Sequence, residues 1–442
     1  MIIPGNLHFL MSSLLLLTTA CTTGASSLST QTDSDILRGD TLHAGDRVSG
    51  GVTSAGPELL SISDLVYQGA FRIPASSNGV SSMNYSQGPI AYDAGSHSIF
   101  LVGHARQQAV AEYLVPDISV STNVTRLKMA RPAIQVFSSL QGRMPDGNPE
   151  SLDRLGGLAR HDDQLLISAY EYYDGSADNF TTHLVLHNAR DLAGSAITGP
   201  ISFQGRAHTA GWMSPIPDEW QEALGGTWLT GNSSGEPVIG RLSVGPSAFA
   251  FDPEDMSKTD TVATTTLLDF DLANPLHEDL SNEFGENDIW THRSRAVHGF
   301  IPPGTRSYIT FGHSGGHNSS VCYKCIPDGR TDSCGGYCAK DPGDYYLMYW
   351  LWDVQDLVDV RNGVKVPYSL RPYDYGVFEA PFAGRSFGGG SYDPVSNRLY
   401  LTLQRADHDQ GAYSNPPIIL VYSVAAHIGE KTDRSKLKHT RQ

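Results

Sequence analysis

At 442 residues the chain can bury a large core, as one large β-domain or two ordinary ones. Its 18% charged and 40% hydrophobic residues are an ordinary globular balance. A formal net charge of -16 argues against a broad nucleic-acid or anionic-membrane surface, so an anionic polymer would need a local basic cleft.

The N-terminus carries an export signal. Leu14 to Leu17 centre an apolar segment, followed by Thr18-Thr19-Ala20-Cys21, a small residue before a cysteine as at a lipoprotein cleavage site. Residues 1–20 are expected to be removed, with Cys21 as a lipid anchor and the only membrane attachment. This places the protein outside the cytoplasm, at an outer membrane or cell surface, or secreted. The apolar run is too short and Thr-rich for a permanent span. No Lys or Arg precedes it. Residues 21–57, rich in Ser, Thr and Gly, read as a flexible tether.

Residues 58–426 read as one all-β domain. Leu65 to Pro74 alternates as a half-buried strand does. A strand–polar turn–strand unit then recurs at Ile90–His104, Leu158–Tyr170 and Gly390–Gln404, its turn led by Asp or Asn. Further strands follow it, such as Ala111–Val115 and Ile418–Tyr422. Recurrence of one such unit is how propeller blades read. At about 40–50 residues per blade, seven blades are expected. Val354–Val360 and Pro217–Leu224 are expected to be short helices. Residues 427–442 form a charged tail.

The ends of inner strands are where a propeller binds ligands. His104, in Gly-His-Ala-Arg beside Arg106, is a general-base or carboxylate-binding candidate. Tyr170, Tyr172 and Tyr173 end another strand, where tyrosines stack on sugars or shuttle protons. His183 and His187 share one face of a strand. Arg206, His208 and Trp212, in a loop with prolines, suit an acidic sugar: a bidentate Arg for its carboxylate and a Trp for its ring face. Each of these also has an ordinary structural reading, as a neighbour-bonding His, strand aromatics or a packed loop. Ser233-Ser234 lacks a nucleophile-elbow context. Glu283 and Glu286 read as a solvated acidic loop.

Phe311 to Cys338 concentrates cross-linking groups. Cys322-x2-Cys325-x8-Cys334-x3-Cys338 suits a structural tetrahedral zinc, with His313 or His317 able to replace one thiolate, or else two disulfides. Either would staple a long loop.

Tyr67-Gln68-Gly69-Ala70-Phe71-Arg72, Gly103-His104, Gly211-Trp212-Met213-Ser214-Pro215 and Tyr392-Asp393-Pro394 with Arg398-Leu399-Tyr400 resemble exported bacterial seven-bladed β-propellers, a group that includes the ulvan lyases. The resemblance spans most of residues 59–424 and rests largely on scaffold motifs. It implies β-elimination on a sulfated polysaccharide containing uronic acid, with an Arg neutralising the carboxylate and His and Tyr moving protons. By position His104 maps to the histidine, one of Tyr170, Tyr172 and Tyr173 to the tyrosine, and Arg206 or Arg190 to the arginine. A structural zinc at the cysteine loop would fit; no redox or nucleotide cofactor is implied, no nucleic-acid partner is expected, and a monomer is. Two other classes compete: a non-catalytic surface propeller that binds glycans or a protein, and a propeller glycoside hydrolase, which needs two carboxylates at hydrolase spacing.

Overall fold

The computed structural model describes residues 57–145, 147–236 and 242–425, all within the unit Ala55–Gln442. The signal segment, Cys21, the tether up to residue 56 and the 427–442 tail lie outside the described residues.

The described residues form five sheets of four or five strands, antiparallel except for the short parallel edge strands Lys128–Met129 and Thr261–Val262, plus one two-stranded hairpin. Blade 1 is Ile90–Asp93, Ser98–Val102, Ala109–Leu114 and Gln135–Ser139. Blade 2 is Arg154–His161, Gln164–Tyr170, Thr181–Leu186 and Ile197–Phe203. Blade 3 is Trp212–Pro215, Trp228–Gly231, Ala248–Phe251 and Thr265–Leu268. Blade 4 is Arg295–Phe300, Ser307–Gly315, Tyr345–Asp353 and Asp374–Val377. Blade 5 is Phe387–Asp393, Arg398–Leu403 and Ile418–Val424, completed by Leu65–Arg72 from the other end of the domain.

The recurring turn has a local cause. Asp93 accepts from the Gly95 amide at 2.9 Å and from the Ser96 hydroxyl at 3.0 Å. Asp393 accepts from the Val395 and Ser396 amides, both at 3.2 Å. Each Asp closes its own turn through the backbone, which is why Asp leads the unit. His97 and Asn397, the last residues of two such turns, and Asp162, the first of a third, adopt left-handed φ near 50°.

The first strands of the blades pack against one another in sequence, 1 on 2, 2 on 3, 3 on 4, 4 on 5 and 5 on 1, so the ring closes with five. This corrects the seven expected from repeat length. The excess length sits in long connections: residues 271–294 precede blade 4, and residues 316–344 separate its second and third strands. Close approach at the axis needs residues without side chains. A Cβ on Gly156 or Gly157 would strike the Ala210 or Gly211 carbonyl of the next inner strand.

The core lies between blades. Trp350 and Trp352 of blade 4 are buried with Leu229 and Leu268 of blade 3. Blade 5 is fastened across the chain by Arg72, whose Nε and Nη2 donate to Asp407 at 2.7 and 2.8 Å. The expected helices form at Asp218–Leu224 and Val354–Arg361; the second is capped by Asp353, which accepts from the Gln355 amide at 2.9 Å. No helix among the described residues is long and apolar enough to cross a membrane.

Candidate active site

Antiparallel pairing brings the start of every first strand and the end of every second strand to one mouth of the ring. His104, Tyr170, Asn232, His313 and Gln404 therefore occupy corresponding places on blades 1 to 5. A cavity of about 230 Å³ opens there, with Tyr170, Trp212, Asn232, Arg295, His313 and Arg405 in its wall.

Its centre is a bond across the ring. Arg295 Nη2 donates to the Tyr170 hydroxyl at 2.7 Å. The Arg295 pKa is raised, chiefly by electrostatic attraction to Tyr170, with burial opposing. Its Nε is buried and has no protein partner. His313 pairs with Arg295 in register across two strands of blade 4. Desolvation, then the charges of Arg295 and Arg293, push the His313 pKa down to about 3, against a hydrogen bond to the Phe387 carbonyl. The imidazole is thus neutral at ordinary pH, and its Nδ1 is buried without a partner. Arg295 and His313 both line this polar cavity, and each carries a buried polar atom without a partner, as in a site built for a polar ligand.

A second layer supports them. Arg293 pairs with Glu236 and donates to the Tyr337 carbonyl at 3.0 Å. Burial raises the Glu236 pKa, and Arg293 and Arg295 oppose it. Tyr337 stacks on His292 with ring centroids 4.0 Å apart. Tyr337 belongs to the hairpin Val321–Tyr323/Tyr337–Ala339, which holds the cysteines. These stand at disulfide distance as Cys322–Cys325 and Cys334–Cys338.

Cationic and aromatic side chains meet at this mouth, beside the acidic group Glu171, Asp174 and Asp178 that follows Tyr170. Six cation–aromatic contacts are found among the described residues, and all lie at this end of the blades: Arg154 on Tyr172, Arg206 on Phe180, Arg293 on Tyr345, Arg295 on Tyr170, Lys324 on Tyr323 and Arg405 on Tyr85.

Of the residues expected from sequence, Tyr170 and Trp212 reach the cavity. Trp212 Nε1 donates to the Tyr308 hydroxyl at 3.2 Å. His104 sits beside it on the rim, its ring 5.6 Å from that of Tyr85 and its Nδ1 accepting from the Arg106 amide at 3.1 Å. Arg106 is exposed on the same turn. Tyr172 and Tyr173 are exposed just outside. Arg206 is on the same face but stacks 4.1 Å above Phe180 and does not line the cavity. His208 is held by Asp269 at 2.7 Å. His183 is fully buried against Phe203 at 3.6 Å, with no access to a ligand. Arg190 lies in the turn after Leu186, at the opposite end of blade 2.

The sequence groups His313 with the cysteines because it precedes them closely. Its strand carries it into the mouth instead. His317 is engaged at both nitrogens, by the Ser314 hydroxyl and the Asn287 carbonyl, each at 2.7 Å. The clustered sulfurs are those of Cys322, Cys325 and Cys338, without a histidine. Sequence reasoning missed Arg295. The available signal was positional: Arg154 and Arg295 each open the first strand of a blade.

No family model matches the chain, and no curated protein does. Solved structures with some likeness include U3-55K (9% identity, TM-score 0.29) and the WD40 repeats of RRP9 (10%, 0.29), each covering 75% of this chain and 66% of the other. A protein from Lactobacillus plantarum shows 9% identity and a TM-score of 0.25, over 71% of this chain and 65% of that one. The matches thus span just under two thirds of those chains' lengths.

Proposed function

We propose that the mouth is the active site of a polysaccharide lyase acting on a uronic-acid-containing, ulvan-like polymer. The observation that carries this reading is the Tyr170–Arg295–His313 group, with an unpaired Arg295 Nε and an unpaired His313 Nδ1 at one cavity.

Arg295 receives the uronate carboxylate, which spreads charge off C5 and acidifies its proton. That carboxylate also offsets the cation that depresses His313, so the neutral imidazole gains basicity as substrate binds. His313 takes the C5 proton, the C–H electrons form the C4–C5 double bond, and the C4–O4 bond breaks. Tyr170 donates its proton to the departing O4. No water is consumed. The test is mass spectrometry of the products from a panel of uronate, sulfated uronate and neutral polymers. Lyase products carry an unsaturated end and weigh one water less than hydrolysis products; hydrated ends, or no products from a folded protein, would remove this reading.

The cysteine hairpin supports a second chemistry besides disulfides, a structural zinc. Across the two pairs, the Cys338 sulfur lies 3.9 Å from that of Cys322 and 3.6 Å from that of Cys325. A tetrahedron with zinc–sulfur bonds of about 2.3 Å has edges of about 3.8 Å. Cys322, Cys325 and Cys338, whose sulfurs cluster, would supply three thiolates and Cys334 the fourth, stapling the hairpin. Alkylation of the denatured protein without reductant separates the two: among Cys322, Cys325, Cys334 and Cys338, four free thiols with one zinc per chain, or none.

A further inference from the structure

We propose that Tyr85 and Arg405 form a second anion-binding subsite, which takes the charged substituent of the sugar next to the one held at Arg295. This rests on the reading of the mouth as a glycan site. Both residues wall the same cavity as Tyr170 and Arg295, but from the seam between blades 1 and 5. The Arg405 guanidinium lies 5.6 Å over the Tyr85 ring.

Three further observations point to a ligand. Arg405 is exposed and forms no ion pair or hydrogen bond among the described residues, whereas Arg72 and Arg293 each have a carboxylate partner. A guanidinium spread over an aromatic face keeps its in-plane donors available for a planar or tetrahedral anion. Tyr85 and Arg405 also both hold left-handed backbone, with φ of 53° and 52°. Two bulky residues kept in that region on opposing loops concentrate local strain where side chains are presented to the mouth. Finally, Tyr85 is 43% exposed, which leaves ring surface for a sugar while its backbone amide is fixed by Asn415 at 3.0 Å.

The shared ligand chemistry is an anionic group on a pyranose, either a carboxylate or a sulfate ester. Native affinity electrophoresis of the whole protein separates the sources, using gels that contain a carboxylated polymer, a sulfated uronate polymer, its desulfated form, or a neutral glucan. Arg405→Ala and Tyr85→Ala are expected to weaken retention at least tenfold on whichever anionic polymer supplies the group, and to leave the neutral gel unchanged. Arg371→Ala, at the opposite end of blade 4, should behave as wild type. Loss on the sulfated polymer alone assigns a sulfate; equal loss on the desulfated form assigns a carboxylate.

Wild-type retention of both variants on every anionic gel overturns the subsite, as does a wild-type protein that no anionic gel retains. Equal retention of wild type by a single-stranded oligonucleotide overturns the glycan assignment. Cleavage is scored separately. If no polymer is cleaved but Arg405→Ala still weakens retention, the lyase reading fails and the subsite stands. If cleavage occurs, Arg405→Ala should raise KM with little change in kcat.

Discussion

Arg295 and Tyr170 are 125 residues apart in the chain, yet Arg295 Nη2 lies 2.7 Å from the Tyr170 hydroxyl. One opens the first strand of blade 4 and the other ends the second strand of blade 2, so their bond crosses the mouth past blade 3. Only ring closure brings them together. Pairing of the first two strands of blade 4 places His313 in register with Arg295.

Arg295→Lys keeps a positive charge but loses the planar fork that can hold a carboxylate while touching Tyr170. The variant should fold, with an unchanged circular dichroism spectrum, and lose about 10²–10³ in kcat, the scale for removing one preorganised donor. A loss confined to KM would show that Arg295 only binds.

The acid limb of kcat/KM reports the free enzyme's base. A base must be deprotonated, so activity falls as pH drops through its pKa. With His313 held down to about 3 in the free protein, kcat/KM should persist well below the ordinary histidine range of about 6.5. The kcat limb, which reports the complex, should lie higher, because bound carboxylate offsets Arg295. Both limbs near 6.5 would exclude His313.

Arg72 fastens the N-terminal strand of blade 5 through a fully buried Asp407, which also accepts from Gln410 at 2.6 Å. Arg72→Ala leaves that carboxylate buried without its cation. The expected loss is about 3–5 kcal/mol in urea unfolding. A loss below about 1 kcal/mol would mean that the closure does not depend on the pair.

Gly157→Ala places a methyl against the Gly211 carbonyl where inner strands of blades 2 and 3 meet. Overpacking of about 1–3 kcal/mol is expected, seen as a lowered urea midpoint. Gly329→Ala, in open space at φ 69°, carries only its backbone strain and serves as a comparison.

Much of the scaffold was legible in the chain. Short apolar runs on either side of a turn led by Asp or Asn located strands such as Ser98–Val102 and Arg398–Leu403, because those signals arise within a few residues. The blade number was not, since repeat length mixes strands with inserted loops such as 316–344. Of the site, Tyr170 could be found because it ends a strand beside other tyrosines. Arg295 could not, because its partner lies on a distant blade. His313 was misassigned for the same reason, its nearest neighbours in sequence being cysteines and its neighbours in space being Arg295 and Phe387. His183 and His187 do not share a face, because His187 lies beyond the strand end and is exposed, and nothing in the sequence marks that Phe203 seals His183.

The most direct test is the rate at which unsaturated uronate absorbance appears when wild type and Tyr170→Phe are given the same uronate polymer. The phenylalanine keeps the ring and removes the proton donor. Wild type should generate the chromophore steadily, and Tyr170→Phe should do so at least about 10²-fold more slowly, the scale of a positioned acid. Equal rates, or no chromophore from folded wild type on any uronate polymer, would contradict an elimination site at Tyr170 and Arg295.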